Sequence, residues 1–151
     1  SDFGSFPSTV VNLEDASTSG LELQWSGRIA DQLNYQLAYT YLRAVNDSTG
    51  DRLLRRPKHT LGFDLNWTPI ERLTLGMGGY WVADRTDIDP VSFETIMGDD
   101  YFLGRIYGNY TVHENVDLSF RVENAFDEDY DEVAGFPGRG LGVFGGLKLR
   151  F

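Results

Sequence analysis

Hydrophobic and polar residues alternate along most of the chain, and this two-residue period predicts β-strands rather than helices. From Leu61 to Trp67 every second side chain is apolar, and the residues between them are polar or glycine. We expect the run at residues 21–25 to extend back to about Thr9, which gives seven strands in an all-β, antiparallel fold. The other runs lie at residues 33–41, 73–83, 102–112, 116–122 and 141–151.

The connections between these runs fall into two classes that alternate strictly along the chain. The short turns lie at residues 28–31, 69–71 and 113–115, and the long polar loops lie at residues 45–57, 85–99 and 127–140. Every short turn therefore lies at one end of the predicted sheet and every long loop at the other. This segregation is typical of transmembrane β-barrels, which have short periplasmic turns and longer extracellular loops.

The large aromatic residues form two bands on the apolar face, as in the aromatic girdles at the two interfaces of a bilayer. The band near the long loops contains Tyr39, Tyr41 and Trp81, and the band near the short turns contains Trp25, Trp67, Tyr110 and Phe151. Core aromatics of a soluble β-sandwich are the alternative. The opposite face argues against it, because it carries charges in mid-strand that suit a wet lumen: Asp64, Arg105, Arg121, Glu123, Lys148 and Arg150.

Seven is an unusual strand number, because single-chain bacterial barrels have an even number of strands. An open sheet in lipid also leaves edge backbone groups unpaired, at about 2–7 kcal/mol each. We therefore interpret the seven strands as part of a larger closed barrel. The alternative splits the first run at residues 16–20 and gives a small complete barrel of eight strands with a structural, adhesive or hydrolase role.

Composition excludes several kinds of function. The formal net charge of -10 disfavours a nucleic-acid partner, which needs a basic surface, and the absence of cysteine excludes thiolate chemistry. The two histidines give little support for catalysis: His113 lies in a predicted short turn, a poor place for a substrate pocket, and only His59, which begins a strand after a long loop, has a position that some barrel hydrolases use. We expect no enzymatic activity.

The long loops carry most of the remaining candidate chemistry. Loop-bound calcium is a possible cofactor at the acidic cluster of residues 127–132 and at the acidic residues of the second loop, but no EF-hand spacing is present. We expect Arg139 to pair with that cluster and the basic patch to pair with lumen carboxylates; the patch contains Arg52, Arg55, Arg56 and Lys58. Residues 124–127 (NAFD) are interpreted as structural, because Asn and Asp satisfy backbone groups where strand pairing stops.

Several segments resemble the C-terminal end of TonB-dependent outer-membrane receptors, and most closely the cobalamin (vitamin B12) receptor family. The matching segments are residues 12–23 (NLEDASTSGLEL), 39–44 (YTYLRA), 53–59 (LLRRPKH), 122–130 (VENAFDEDY) and 135–139 (GFPGR), followed by the terminal aromatic Phe151. The resemblance implies that residues 1–151 are the last seven strands of a barrel of about 22 strands, without its plug domain.

The resemblance also implies a function, a location and partners. The expected function is part of a bacterial outer-membrane transporter that imports cobalamin or a ferric siderophore. Its expected partners are that small ligand, outer-membrane lipid and lipopolysaccharide, the TonB complex through the missing plug, and the barrel assembly machinery, for which Phe151 is the signal. The residues expected near the substrate are Arg56, Phe93, Tyr130, Phe136 and Arg139.

Overall fold

The computed structural model describes residues 15–151, which form eleven β-strands. Seven of these strands are long and build the main sheet, and the other four are short and form hairpins inside two loops. In chain order they are β1 (Ala16–Ala30), β2 (Leu33–Asn46), β3 (His59–Ile70), β4 (Leu73–Ala83), β5 (Arg85–Ile88), β6 (Thr95–Gly98), β7 (Tyr101–His113), β8 (Val116–Glu123), β9 (Asp131–Val133), β10 (Phe136–Pro137) and β11 (Gly142–Leu149).

The main sheet is antiparallel, with the strand order β1-β2-β3-β4-β7-β8-β11, and this confirms the seven predicted strands. The alternative of eight strands is wrong for the described residues. Ser17 pairs with Val45 and Gly20 pairs with Leu42, so the ladder continues through the proposed break and β1 is one strand. The predicted extension toward Thr9 concerns residues that lie outside the described range.

The register places the apolar residues on one face of the sheet. One row of directly paired residues crosses five strands: Leu23, Tyr39, Leu61, Trp81 and Phe102. A row on the other face crosses six strands and is mostly polar or glycine: Gln36, Asp64, Gly78, Arg105, Glu123 and Gly142. Because side chains alternate across a strand, the register keeps the two kinds of row on opposite faces throughout.

The sheet is a single layer without a packed core. Among the described residues only four apolar side chains are buried: Ala44, Val82, Ala83 and Tyr101. Trp25 and Trp67, in contrast, are 67% and 47% exposed on the apolar face. A soluble β-sandwich would bury such rings between two sheets, so the sandwich alternative is wrong. None of the described residues forms a helix with the length and apolarity needed to span a membrane.

One glycine on the apolar face leaves space for two aromatic rings to pack over the strand. Gly79 lies between the rings of Phe63 and Phe102, which are nearly parallel at an interplanar angle of 9°. A Cβ at this position would lie 2.4 Å from the Phe102 ring and 2.5 Å from the Phe63 ring. The two rings therefore cover the bare strand, and only glycine leaves room for them.

The two ends of the sheet differ as the sequence predicts. The three short turns are two-residue connections, and each is accompanied by a register shift in the adjoining ladder, after Arg28, Trp67 and Thr111. The long loops at the opposite end span residues 47–58, 84–100 and 124–141. The second and third loops are partly folded, since they contain the hairpins β5–β6 and β9–β10, which the sequence pattern does not predict.

Neighbouring residues of one strand point to opposite faces of the single-layer sheet. A charged side chain should therefore be tolerated on the polar face and destabilise the protein on the apolar face. In the closed barrel reconstituted into liposomes, we expect Leu37→Arg on the apolar face to lower the free energy of unfolding by about 2–4 kcal/mol. The matched change Ala38→Arg, one residue along on the polar face, is expected to cost less than about 1 kcal/mol. Urea titration of both variants measures the difference, and equal costs would show that the apolar face does not contact lipid.

Candidate functional site

The polar face of the sheet is organised around the carboxylate of Asp64 in β3. Arg105 donates a hydrogen bond to Asp64 Oδ2 at 2.6 Å. The Tyr107 hydroxyl donates to Oδ1 at 2.7 Å, and Asn66 Nδ2 donates to the same oxygen at 2.5 Å. The strand register creates this network, because Gly78, whose lack of a side chain leaves space between Asp64 and Arg105, pairs with both residues.

The charges continue along the polar face toward β11. Arg121 Nε forms an ion pair with Glu123 Oε1 at 3.0 Å, and the Arg121 guanidinium lies 4.9 Å from the centre of the Phe144 ring. A groove of about 440 Å³ lies on this polar face, and Asp64 and Arg105 are among its lining residues. About half of each side chain is exposed in Arg105, Arg121 and Glu123. These side chains can therefore bind water or a solute that passes over the polar face.

The three long loops are joined by a group of charged residues that we call the loop hub: Arg52, Arg55, Asp84, Arg85 and Asp87. Arg52 of the first loop donates to Asp84 Oδ1 at 2.6 Å, and the Lys58 ammonium lies 3.4 Å from Oδ2. The hydrogen bond from Arg52 lowers the pKa of Asp84 below its ordinary value and outweighs the opposing effect of burial. Asp84 therefore keeps the first loop against the base of the second.

Asp87 connects all three loops. Its side chain is fully buried, and Oδ1 accepts hydrogen bonds from Arg55 Nε at 3.0 Å and from the Ile88 N–H at 2.8 Å. Oδ2 accepts from the N–H of Ala134, in the third loop, at 2.9 Å. Burial raises the pKa of Asp87, but the two backbone donors and Arg55 more than compensate and hold it below the ordinary value. The buried carboxylate is therefore charged and paired.

Arg85, two residues before Asp87 in β5, also holds the third loop. It is only 4% exposed, and its guanidinium donates to the carbonyl oxygens of Glu132, at 2.6 Å, and Asp131. It also lies 5.8 Å from the centre of the Tyr101 ring. Within the described residues Arg85 has no carboxylate partner, and its Nε and the Thr86 hydroxyl are buried without hydrogen bonds. Carbonyl dipoles and a π face thus hold this cation.

The comparisons with known proteins identify the family. The family model described as TonB dependent receptor-like, beta-barrel matches residues 1–125. The chain belongs to this family. Its members are transporters of the bacterial outer membrane rather than enzymes, so the hydrolase alternative is wrong. The short turns of the family barrel face the periplasm and the long loops face the exterior.

Individual relatives agree with this assignment. The chain is 29% identical over 133 residues to the ferric-pyoverdine 358 receptor of Pseudomonas putida, covering 83% of this chain and 16% of the relative. It is 27% identical over 120 residues to the vitamin B12 transporter BtuB of Photobacterium profundum, covering 80% and 19%. The chain thus spans less than a fifth of the curated relatives it matches, and pyoverdine receptors match as well as cobalamin transporters.

Solved structures show the same fold. The receptor FpvA of Pseudomonas aeruginosa, in complex with heterologous pyoverdines, superposes with a TM-score of 0.76 at 23% identity, covering 89% of this chain and 19% of FpvA. The catecholate receptor Fiu of Escherichia coli gives the same TM-score at 19% identity, covering 90% and 21%. The seven-stranded sheet is therefore a segment of a TonB-dependent receptor barrel.

Two of the predicted substrate residues lie on the two loop hairpins, which contact each other. Phe93, at the tip of the β5–β6 hairpin, is 80% exposed, and Phe136, at the tip of β9–β10, is 68% exposed. The two hairpins touch at their tips, since a Cβ on Gly135 would lie 2.9 Å from Pro90 Cγ. Phe93 has a left-handed backbone, with φ of 59°, which is strained for an aromatic residue. Arg56 is exposed in the first loop.

The other predicted residues have different surroundings. Tyr130 is half-buried, with its ring 4.7 Å from that of Tyr101, so it supports the third loop from below. Arg139 is exposed, and the expectation that it pairs with the acidic cluster at residues 127–132 is wrong, because it forms no ion pair among the described residues. Phe151 is fully exposed beyond β11.

The predicted roles of the loop charges also change. Arg52, Arg55 and Lys58 of the basic patch pair with the loop carboxylates Asp84 and Asp87, and not with lumen carboxylates as expected. These two carboxylates are occupied by cations and backbone donors, which removes them as calcium ligands. Within residues 15–151 no group of three or more acidic or histidine side chains is placed to hold a metal ion.

The interpretation of residues 124–127 as structural is confirmed. Asn124 is 5% exposed and has a left-handed backbone, with φ of 47°. Its amide donates to the carbonyl oxygens of Glu128 and Arg139 at 2.9 and 3.0 Å, and its Oδ1 accepts from the Glu128 N–H. The Leu141 N–H donates to Asp127 Oδ1 at 2.8 Å, so the segment sets where the third loop starts and ends.

Neutralising Asp87 should loosen the loops without disturbing the sheet. We expect Asp87→Asn to lower the local opening free energy of the loops by about 2 kcal/mol, because an amide cannot accept all the donors that converge on this carboxylate. Hydrogen exchange at Ile88 and Ala134 should accelerate roughly thirtyfold. Asp89→Asn is the matched control, since Asp89 caps its own turn, and equal effects of the two changes would argue against the loop hub.

The loop hub should also set the acid stability of the loops. Asp84 and Asp87 have folded pKa values below the ordinary 3.8, so their stabilisation is fully present above that pH and is lost as the pH falls through the lower folded values. Cleavage of the loops by pepsin, normalised to an unfolded substrate, should therefore stay slow at about pH 4 and rise only at lower pH. A rise that begins above about pH 5 would contradict this assignment.

Proposed function

We propose that residues 1–151 are the C-terminal barrel segment of an outer-membrane receptor that imports a ferric siderophore or cobalamin. In this proposal the plug and the remaining strands belong to other parts of the receptor, and the TonB complex supplies energy through the plug. The observation that carries the proposal is a single-layer sheet with one apolar and one charged face, whose three outer loops are joined by the loop hub.

The two edge strands support a larger barrel. β1 and β11 pair on one side only within the described residues, and β1 alone contains fifteen residues. In lipid each unpaired backbone group costs several kcal/mol, whereas the net stability of a domain is only about 5–15 kcal/mol. Closure onto further strands satisfies these groups, and a barrel of about 22 strands provides both partners.

The outer loops supply complementary chemistry for a small chelate. Phe93 and Phe136 offer an aromatic surface at the touching hairpin tips, and Arg56 offers a charge on the first loop. The first loop, residues 47–58, has four basic and two acidic residues, whereas the other two loops are strongly acidic. We place the planar or apolar part of the ligand against the two phenylalanines and its anionic part toward Arg56.

Two of the expected residues have supporting places in this arrangement. Tyr130 holds the third loop through its contact with Tyr101, and Arg139 is exposed where the same loop returns to the sheet.

A ferric siderophore is the first candidate ligand, because a chelate with anionic and aromatic groups fits Arg56 and the phenylalanines together. Cobalamin is the second, supported by the 27% identity to the vitamin B12 transporter BtuB of Photobacterium profundum.

The proposed receptor has three further partners. Its apolar face contacts outer-membrane lipid, and the rim below the long loops contacts lipopolysaccharide. Phe151 is exposed past the last strand, where the barrel assembly machinery can bind it during insertion.

Uptake by the full receptor tests the proposal. In a host without its own siderophore and cobalamin receptors, we expect radioactive iron to enter from a ferric siderophore and cobalt-labelled cobalamin to be taken up poorly. The reverse preference would assign the receptor to cobalamin. Uptake of neither ligand with the barrel correctly inserted would overturn the proposal.

Removal of the two exposed rings should weaken ligand binding. We expect Phe93→Ala and Phe136→Ala each to raise the Kd about tenfold, since truncation of an exposed aromatic anchor costs more than about 1 kcal/mol. Phe126→Ala is the matched control, because Phe126 is also 68% exposed but packs over Gly104 on the apolar face. Tryptophan fluorescence titration with the ferric ligand measures the Kd, and an equal loss in the Phe126 variant would argue against a role of the hairpin tips.

A further inference from the structure

We propose that the outward rim of β2 and β3 binds the phosphate of an outer-leaflet glycolipid, with Arg43 as its main ligand. The inference rests on the proposed orientation of the receptor in the outer membrane and adds a lipid site to it. The site lies on the apolar face just below the first long loop, and it is separate from the hairpin tips that we assign to the imported ligand.

The rim begins with a cluster of rings at the outer end of the apolar face. The His59 ring lies 6.1 Å from that of Tyr39, 5.4 Å from that of Tyr41 and 6.4 Å from that of Trp81. The Tyr39 hydroxyl and His59 Nδ1 are hydrogen-bonded at 2.8 Å, and His59 Nε2 has no partner in the part of the chain that the structure describes. Such rings are typical of the headgroup level of a bilayer.

Two cations lie beside this cluster. Arg43 pairs with Ser19 two residues beyond Tyr41, so it shares the outward face and stands about 7 Å further along the strand. It is exposed and forms no ion pair among residues 15–151. The Lys58 ammonium lies 5.9 Å from the centre of the Tyr41 ring, although it also pairs with Asp84. A guanidinium free of carboxylates thus stands just above the aromatic belt.

The distribution of charges among the three long loops favours anion binding at this rim. The loop at residues 84–100 has six acidic residues and one basic residue, and the loop at residues 124–141 has five and one. The first loop, next to Arg43, has four basic residues against two acidic ones. Anionic headgroups are therefore repelled near the second and third loops and attracted at the rim of β2 and β3.

Phosphate is the anion that fits this set of donors. A guanidinium binds two phosphate oxygens at once, and a ring N–H and an ammonium add single donors. A phosphate carried on an acyl-chain lipid is held at the height of the aromatic belt, where Arg43 is placed, and its chains lie against the apolar face below. We therefore assign the lipid phosphate, rather than a free anion, as the occupant.

Native mass spectrometry of the full receptor in nanodiscs tests the assignment. The probes are lipid A with two phosphates and the same lipid A after dephosphorylation. We expect the unaltered receptor to retain the phosphorylated form, Arg43→Ala to lower its apparent affinity about tenfold, and Arg43→Lys, which keeps the charge without the two-point contact, to lower it by less. Arg72→Ala is the matched control, because Arg72 is an exposed cation in a short turn at the opposite end of the sheet.

Equal retention of the two lipid A forms, or equal retention by the unaltered receptor and the Arg43→Ala variant, overturns the lipid site. If Arg43→Ala fails to insert, the comparison of the two lipid A forms on the unaltered receptor still decides. Ligand uptake is measured on the same variants and should be unchanged by Arg43→Ala. Loss of the lipid preference with normal uptake overturns this site alone, whereas lipid preference without any uptake overturns the proposed transport alone.

Discussion

The requirement that every backbone N–H and C=O in lipid be hydrogen-bonded within the protein dominates this structure. An antiparallel sheet meets the requirement for its inner strands, and only closure meets it for β1 and β11. The same requirement removes the need for a packed core, because the apolar side chains face acyl chains and not one another. The four buried apolar residues of the described chain are few for this reason, and the rows of paired residues replace a core as the stabilising contacts.

Outside the bilayer a different interaction organises the chain. The long loops have little apolar surface to bury, and charged groups shared between loops hold them together. Asp87 and Arg85 are buried; Asp87 accepts hydrogen bonds from Arg55 of the first loop, from its own strand and from the backbone of the third loop, and Arg85 donates to backbone carbonyls of the third loop. The loops therefore meet by matching hydrogen-bond donors to acceptors, and Phe93 and Phe136 remain exposed above this charged layer.

The two regions differ in how far the sequence predicts them. The two-residue period predicts the seven strands, both faces and the separation of turns from loops, because burial in lipid imposes that period on each strand independently. The contacts of Asp87 join residues 32 and 47 positions apart in the chain, and no local pattern encodes them. Arg55, Asp84 and Phe93 have positive φ without glycine, so no glycine marks these bends of the first and second loops. The strands follow from local chemistry, and the loops depend on their mutual contacts.

The sharing of Asp87 among three loops limits how such a receptor can change its specificity. A new sequence in any one loop must still present an Arg, a carboxylate or a free N–H at the position its neighbours require. Exchange of a single loop with another receptor breaks this arrangement and leaves a buried charge unsatisfied. Functional chimeric receptors and natural recombinants should therefore exchange all three loops together, that is, residues 47–58, 84–100 and 124–141.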